Sequence, residues 1–158
     1  MHLKQLNILL ADDDIDDCAF FKKAVEGFPI STYFTAVHDG EQLMKRLTNE
    51  TNELPDVLFL DLNMPRKSGF ECLEEIKLNK KLKQLPVIIF STSFEQAVVN
   101  LLYKNGAQYF IRKPSDFLQF KKIIHQTLAL MTTTLLTDII GNIAQPEKEK
   151  FILLLEAV

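Results

Sequence analysis

Four short stretches of this chain are apolar through their middles, without alternation: LNILLA (6–11), DVLFLDL (56–62), PVIIFST (86–92) and QYFIRK (108–113). A strand covered on one face alternates apolar and polar residues, whereas a strand covered on both faces does not. Runs of this kind therefore point to a parallel sheet. STYFTAV (31–37) is a weaker fifth candidate, rich in β-branched and aromatic residues. Helical spacing of i, i+3, i+4 follows each run: Phe21, Ala24 and Val25; Leu43, Met44 and Leu47; Phe70, Leu73 and Ile76; Val98, Leu101 and Leu102; Phe117, Phe120, Ile124 and Leu128. Ser68 with Glu71 and Ser93 with Gln96 predict capping boxes, and Gly27 and Gly106 fall just past predicted helix ends. The reading is five βα units in about the first 131 residues, which implies an α/β fold with helices on both faces of a parallel sheet.

A chain of 158 residues is long enough for one well-packed domain with an appendage. Net charge is −3, so nothing global suggests a nucleic-acid partner. No apolar run approaches the roughly 20 residues that span a bilayer. The first residues, MHLKQLNILLADDD, lack the apolar stretch and small-residue cleavage site of a signal peptide, so a cytoplasmic protein is expected. Cys18 and Cys72 are isolated and are expected to be buried free thiols. His2, His38 and His125 have no zinc-ligand spacing, and His38 beside Asp39–Gly40 reads as a turn residue.

In open α/β sheets, sites form outside the carboxyl ends of the strands. At those ends stand Asp12 and Asp13, Asp61, Ser91 with Thr92, and Lys113. Two carboxylates about 4 Å apart repel by roughly 4 kcal/mol at an effective dielectric of about 20, so a cluster of three calls for a cation or a bound proton. Mg2+ suits it: it takes hard oxygen ligands and works through one or two carboxylates plus a phosphate oxygen. An ammonium and a hydroxyl suit the other phosphoryl oxygens. A carboxylate between metal and lysine is a potential nucleophile, and Asp61 is the candidate. Asp14, Asp16 and Asp17 read instead as acids at the start of the first helix, capping N–H groups and favouring the positive dipole end.

The pieces ILLADDD, LFLDLNMPRKSGFE, PVIIFSTS and GAQYFIRKP, in this order and spacing over roughly residues 5–131, resemble the receiver domain of two-component response regulators, most of all the stand-alone type found beside phytochrome-like kinases. The resemblance implies a flavodoxin-like doubly wound sheet of strand order 2-1-3-4-5. It also implies that Asp61 accepts a phosphoryl group from a histidine kinase or histidine phosphotransfer protein. Mg2+ would be held by Asp13, Asp61 and the backbone carbonyl of Asn63, with Asp12 acting through a water. Ser91 and Lys113 would hold phosphoryl oxygens, and Lys113–Pro114 would be a cis peptide. Phe110 would be the aromatic that turns inward with Ser91, although without a hydroxyl it has no hydrogen-bonded inward state. On this reading the chain is a phosphoacceptor and not an enzyme, assisting its own phosphorylation and dephosphorylation.

Three other readings fit less well. A small Mg-dependent aspartyl-phosphate hydrolase of haloacid-dehalogenase type wants DxDx[TV] at the first strand, where this chain has DDDID. A flavin-binding domain wants a Ser/Thr/Gly-rich phosphate loop, and acids there would repel the cofactor. A calcium loop counted from Asp12 would need Gly and Glu where Asp17 and Lys23 stand. Residues 132–158 form an extension with no effector domain, so the signal is expected to leave through contacts, a homodimer among them. FILLLEAV (151–158) is too apolar to be left in water; it is expected to pack as a short terminal helix after the exposed linker QPEKEK, with Pro146 near the helix start.

Overall fold

The computed structural model describes residues 5–137 and 143–155. Strands β1 (Leu6–Ala11), β2 (Thr32–Val37), β3 (Val57–Leu60), β4 (Val87–Ser91) and β5 (Tyr109–Arg112) alternate with helices α1 (Ile15–Glu26), α2 (Gly40–Thr48), α3 (Gly69–Leu78), α4 (Gln96–Lys104) and α5 (Phe117–Thr137). All five strands are parallel, in the order β2-β1-β3-β4-β5. This is the flavodoxin-like topology the sequence implied.

The uninterrupted apolar runs resolve into two faces, because successive strand residues point to opposite sides. Leu9, Ala11, Leu58, Leu60, Val87 and Ile89 join the cluster under α2, α3 and α4. Leu6, Ile8, Leu10, Phe59, Ile88 and Phe90 join the cluster under α1 and α5. Right-handed crossovers dictate that division. The chain steps from β1 one way to β2, then back across β1 to β3, β4 and β5, so α1 lies on one face and α2 to α4 on the other. β2 is the edge strand, and only its last residue, Val37, is buried.

Local signals mostly behave as the sequence predicts. Ser68 and Glu71 form the capping box of α3, Gly27 ends α1, and Cys18 and Cys72 are buried free thiols. Three expectations are corrected. Ser93 does not cap α4, whose N-cap is Glu95 without a side-chain bond; the Ser93 N–H and hydroxyl are both committed to Ser91. No cis peptide occurs among the described residues, so Lys113–Pro114 has the trans form that X–Pro bonds prefer by about 0.5–1 kcal/mol.

The tail is the third. Residues 151–155 form no helix: Phe151 closes the preceding turn with helical backbone angles, Ile152 makes an isolated parallel bridge to Phe110, and 156–158 lie outside the described residues. After a short 3-10 turn at Lys148–Lys150, the chain runs beside β5: Phe110 N–H donates to the Phe151 carbonyl at 3.0 Å and Leu153 N–H donates to the Phe110 carbonyl at 2.9 Å. The open edge of β5 offers unpaired backbone groups that a helix would leave unsatisfied. The linker is exposed apart from half-buried Pro146, and it is tied down: Gln145 Nε2 donates to the Tyr103 and Ala107 carbonyls, and Tyr103 Oη donates to the Pro146 carbonyl at 2.8 Å. α5 also runs to Thr137, six residues beyond the expected boundary.

Candidate functional site

Four of the strands deliver their last residue, or one of the two after it, to the same edge of the sheet. Asp12 and Asp13 follow β1, Asp61 follows β3, Ser91 closes β4 and Lys113 follows β5. β1 and β3 are adjacent, and the chain leaves them in opposite directions, which opens a crevice between their ends. Asp12 and Asp61 are buried there and Asp13 is exposed at its mouth. Each of the three offers a carboxylate oxygen within 4.8 Å of the others. Hard oxygen donors so close, one open to solvent, fit a divalent cation that keeps part of its water.

Close backbone packing fixes the loop that carries Asp61 and Asn63. A Cβ on Gly69 would lie 2.2 Å from the Asp61 carbonyl oxygen, so only glycine lets α3 start against the end of β3. Gly69 N–H donates to the Leu62 carbonyl at 3.0 Å. On the other side, a Cβ on Gly40 would meet the Lys67 carbonyl at 2.1 Å. Asp39 caps α2 through Gln42 N–H and pairs with Arg66, 3.6 Å away, so the same loop is tied to the start of α2. Asn63 is exposed and its N–H donates to Asp61 Oδ1 at 3.4 Å.

The Lys113 side chain is 5% exposed, and its ammonium lies 2.6 Å from Asp12 Oδ2, 2.9 Å from Asp17 Oδ2 and 3.7 Å from Asp61 Oδ2. Burial works against its charge, yet the hydrogen bonds to Asp12 and Asp17 hold its pKa above the ordinary lysine value. Burial likewise pushes Asp61 up, to about 7; Lys113 opposes the rise and Asp12 adds to it. Three carboxylates, those of Asp12, Asp17 and Asp61, thus gather round one ammonium. Ser91 is fully buried, and its Oγ lies 3.2 Å from Ser93 Oγ. Phe110, one strand over, is buried against Phe94 at a centroid distance of 5.9 Å and borders a cavity of about 250 Å3 shared with Asn63, Ser93 and Val98.

All the residues singled out in the sequence thus stand at one edge, with Phe110 behind it. Asp17 is the addition: it was assigned to the helix start, but its carboxylate turns to Lys113. Capping falls to Asp14, which accepts the N–H groups of Asp16 and Asp17. His38 also sits at the site, with Nδ1 3.2 Å from the Asp12 carbonyl oxygen, beyond the role of a simple turn residue.

This arrangement has known counterparts. The family model described as the response regulator receiver domain matches residues 8–125. The response regulator Rcp1 of Synechocystis sp. is 29% identical over 134 residues, covering 81% of this chain and 91% of that protein. Two-component response regulator ORR5 of Oryza sativa subsp. japonica is 30% identical over 102 residues, covering 63% of this chain and 75% of its own length. Among solved structures, the phosphorylated cyanobacterial phytochrome response regulator RcpA superposes with a TM-score of 0.77 at 28% identity, covering 82% of this chain and 96% of its own. The Mn2+-bound form of Rcp1 gives 0.74 at 26% identity, covering 89% and 99%. The chain is a receiver domain of the two-component response regulator family and a component of phosphorelay signalling.

Proposed function

We propose that Asp61 is the phosphoacceptor, taking a phosphoryl group from the phosphohistidine of a sensor kinase or a histidine phosphotransfer protein. A carboxylate oxygen of Asp61 attacks phosphorus; the P–N bond breaks and its electron pair returns to the imidazole, which takes a proton from solvent. The observation that carries this reading is the placement of Asp61 between two neighbouring carboxylates and the Lys113 ammonium, in a crevice open at Asp13. Mg2+ held by Asp13, Asp61 and the Asn63 carbonyl, with Asp12 reached through a water, would neutralise the charge that builds on the transferring group. Rcp1 with Mn2+ and RcpA in its phosphorylated form, both similar in fold and sequence, support the metal and the modification.

The chain's own residues do the rest. Lys113 and Ser91 hold phosphoryl oxygens, the first by charge and the second by its hydroxyl. Drawing Ser91 in shifts the loop that leads to α4, and Phe110 follows into the cavity beside it. The face formed by α4, β5 and α5 then changes its contacts, which is the output, in the cytoplasm and without nucleic-acid binding or membrane insertion. No helix among the described residues is long and apolar enough to cross a membrane.

The test is the substitution Asp61→Asn. With acetyl phosphate and Mg2+, the wild-type protein gains the mass of one HPO3 and the variant does not, because an amide is not a nucleophile. An undiminished adduct on the variant overturns the assignment. Phosphomonoester turnover is expected to be absent, which separates the chain from a haloacid-dehalogenase-type hydrolase.

A further inference from the structure

We propose that Asp17 is a positioning residue for phosphotransfer: it seats the Lys113 ammonium so that the remaining N–H faces Asp61. An ammonium has three donors and no acceptor. Two are taken here, by Asp12 at 2.6 Å and Asp17 at 2.9 Å. The third has Asp61 Oδ2 at 3.7 Å, outside hydrogen-bond range, and an oxygen carried by a phosphoryl group on Asp61 would fall into that gap. The inference rests on Asp61 being the acceptor.

Three observations separate this role from that of an ordinary helix-start acid. Capping of α1 belongs to Asp14, so the Asp17 carboxylate is not spent on the helix N–H groups. The side chain is only 22% exposed, and the ammonium it meets is 5% exposed, so the pair is shielded from the solvent that weakens surface ion pairs. And the contact crosses from the first turn of α1 to the residue after β5, joining elements that neither the metal cluster nor the acceptor loop connects.

Asp12 alone cannot do this through the reaction. With Mg2+ held as proposed, Asp12 would be drawn to a water on the metal, and the lysine would then lose one partner. Asp17 lies outside the metal cluster and keeps its hold. Without it, a four-carbon side chain with free rotation has one fewer fixed point.

The experiment is a double-mutant cycle on the full chain at saturating Mg2+, with the initial rate of acetyl-phosphate labelling read by intact mass. Asp17→Asn keeps the size and removes the charge; it should slow labelling about tenfold, the scale of one charge-assisted hydrogen bond. In a Lys113→Ala background the same substitution should change nothing further, since Asp17 acts through the lysine. Asp16→Asn removes a charge from the same helical turn and should leave the rate as it was. The proposal is overturned by an Asp17→Asn rate equal to wild type, by equal slowing in both backgrounds, or by equal slowing from Asp16→Asn. Asp17→Ser repeats the cycle should Asp17→Asn fail to fold. A wild-type protein that takes no phosphoryl group would overturn the acceptor assignment itself, whereas normal labelling of wild type and Asp17→Asn alike would overturn this inference alone.

Discussion

Phe110 and Ile152 form an isolated parallel bridge, so the C-terminal tail is bonded to the backbone of the residue proposed as the switch aromatic. Phe151 beside them is 1% exposed and meets the Tyr103 ring edge-on at 5.1 Å. The tail thereby covers part of the face proposed for output.

Phe151→Ala should destabilise the protein by up to about 3–5 kcal/mol, the usual loss for a buried phenylalanine. The loss is bounded by the docking energy of the whole tail, so truncation after residue 142 sets the ceiling. Denaturant unfolding of the two should agree on that order, and light scattering on the same samples reads whether the uncovered β5 edge pairs two copies. A Phe151→Ala midpoint equal to wild type would show that the tail is not packed as described.

The metal-free site predicts a specific pH dependence. The Asp61 carboxyl is pushed up to about 7, above the ordinary value of about 3.9, chiefly by burial. The folded protein therefore binds this proton more tightly than the unfolded chain. Its contribution to stability is fully present below about pH 4 and is lost as pH rises to about 7. Asp61→Asn has no such proton. The variant's melting temperature should gain on wild type between these limits and hold a constant lead above them; Mg2+ should close the gap at pH 8. A lead independent of pH would exclude the burial of Asp61 as its cause.

The strands were legible because short apolar runs, each followed by a helical period, fit a parallel sheet covered on both faces, and the site was legible because such sheets expose functional groups where strands end. The contact between Asp17 and Lys113 was not, since it depends on how α1 lies across the sheet rather than on any local pattern. FILLL was misread because a short apolar run has the same appearance in a helix and in a strand. The boundary expected near residue 131 fell short because the threonines that follow keep the helix going. Their hydroxyls donate to carbonyls four residues back, Thr132 to Leu128 at 2.7 Å and Thr134 to Leu130 at 2.8 Å, and the helix continues.

Both thiols should be inert in the folded protein. Burial, with the charge of Asp12 adding to it, pushes Cys18 up to about 12, and burial pushes Cys72 up to about 11. Against an ordinary thiol near 8.5, the thiolate fraction at pH 8 falls more than a hundredfold at each. Disulfide-exchange labelling at pH 8 should then proceed no faster than unfolding. Rapid stoichiometric labelling of the native protein would contradict the burial.

Ser91 offers the sharpest separation of modification from switching. Its hydroxyl now engages Ser93, and its carbonyl accepts the Lys113 N–H at 2.7 Å, so one residue touches both the loop before α4 and the lysine. A phosphoryl oxygen on Asp61 that takes the Ser91 hydroxyl proton would draw the side chain towards Asp61 and strain its contact with Ser93. Ser91→Ala removes that pull while leaving Asp61, the carboxylate cluster and Lys113 in place; each of the two lost hydrogen bonds to Ser93 costs about 1 kcal/mol of stability. The variant should therefore label with acetyl phosphate as the wild type does, yet keep its unphosphorylated amide shifts over residues 93–131. If labelled Ser91→Ala instead gave the wild-type phosphorylated pattern there, the hydroxyl would not be what couples the acceptor to the α4–β5–α5 face, and the coupling would have to run through Lys113 alone.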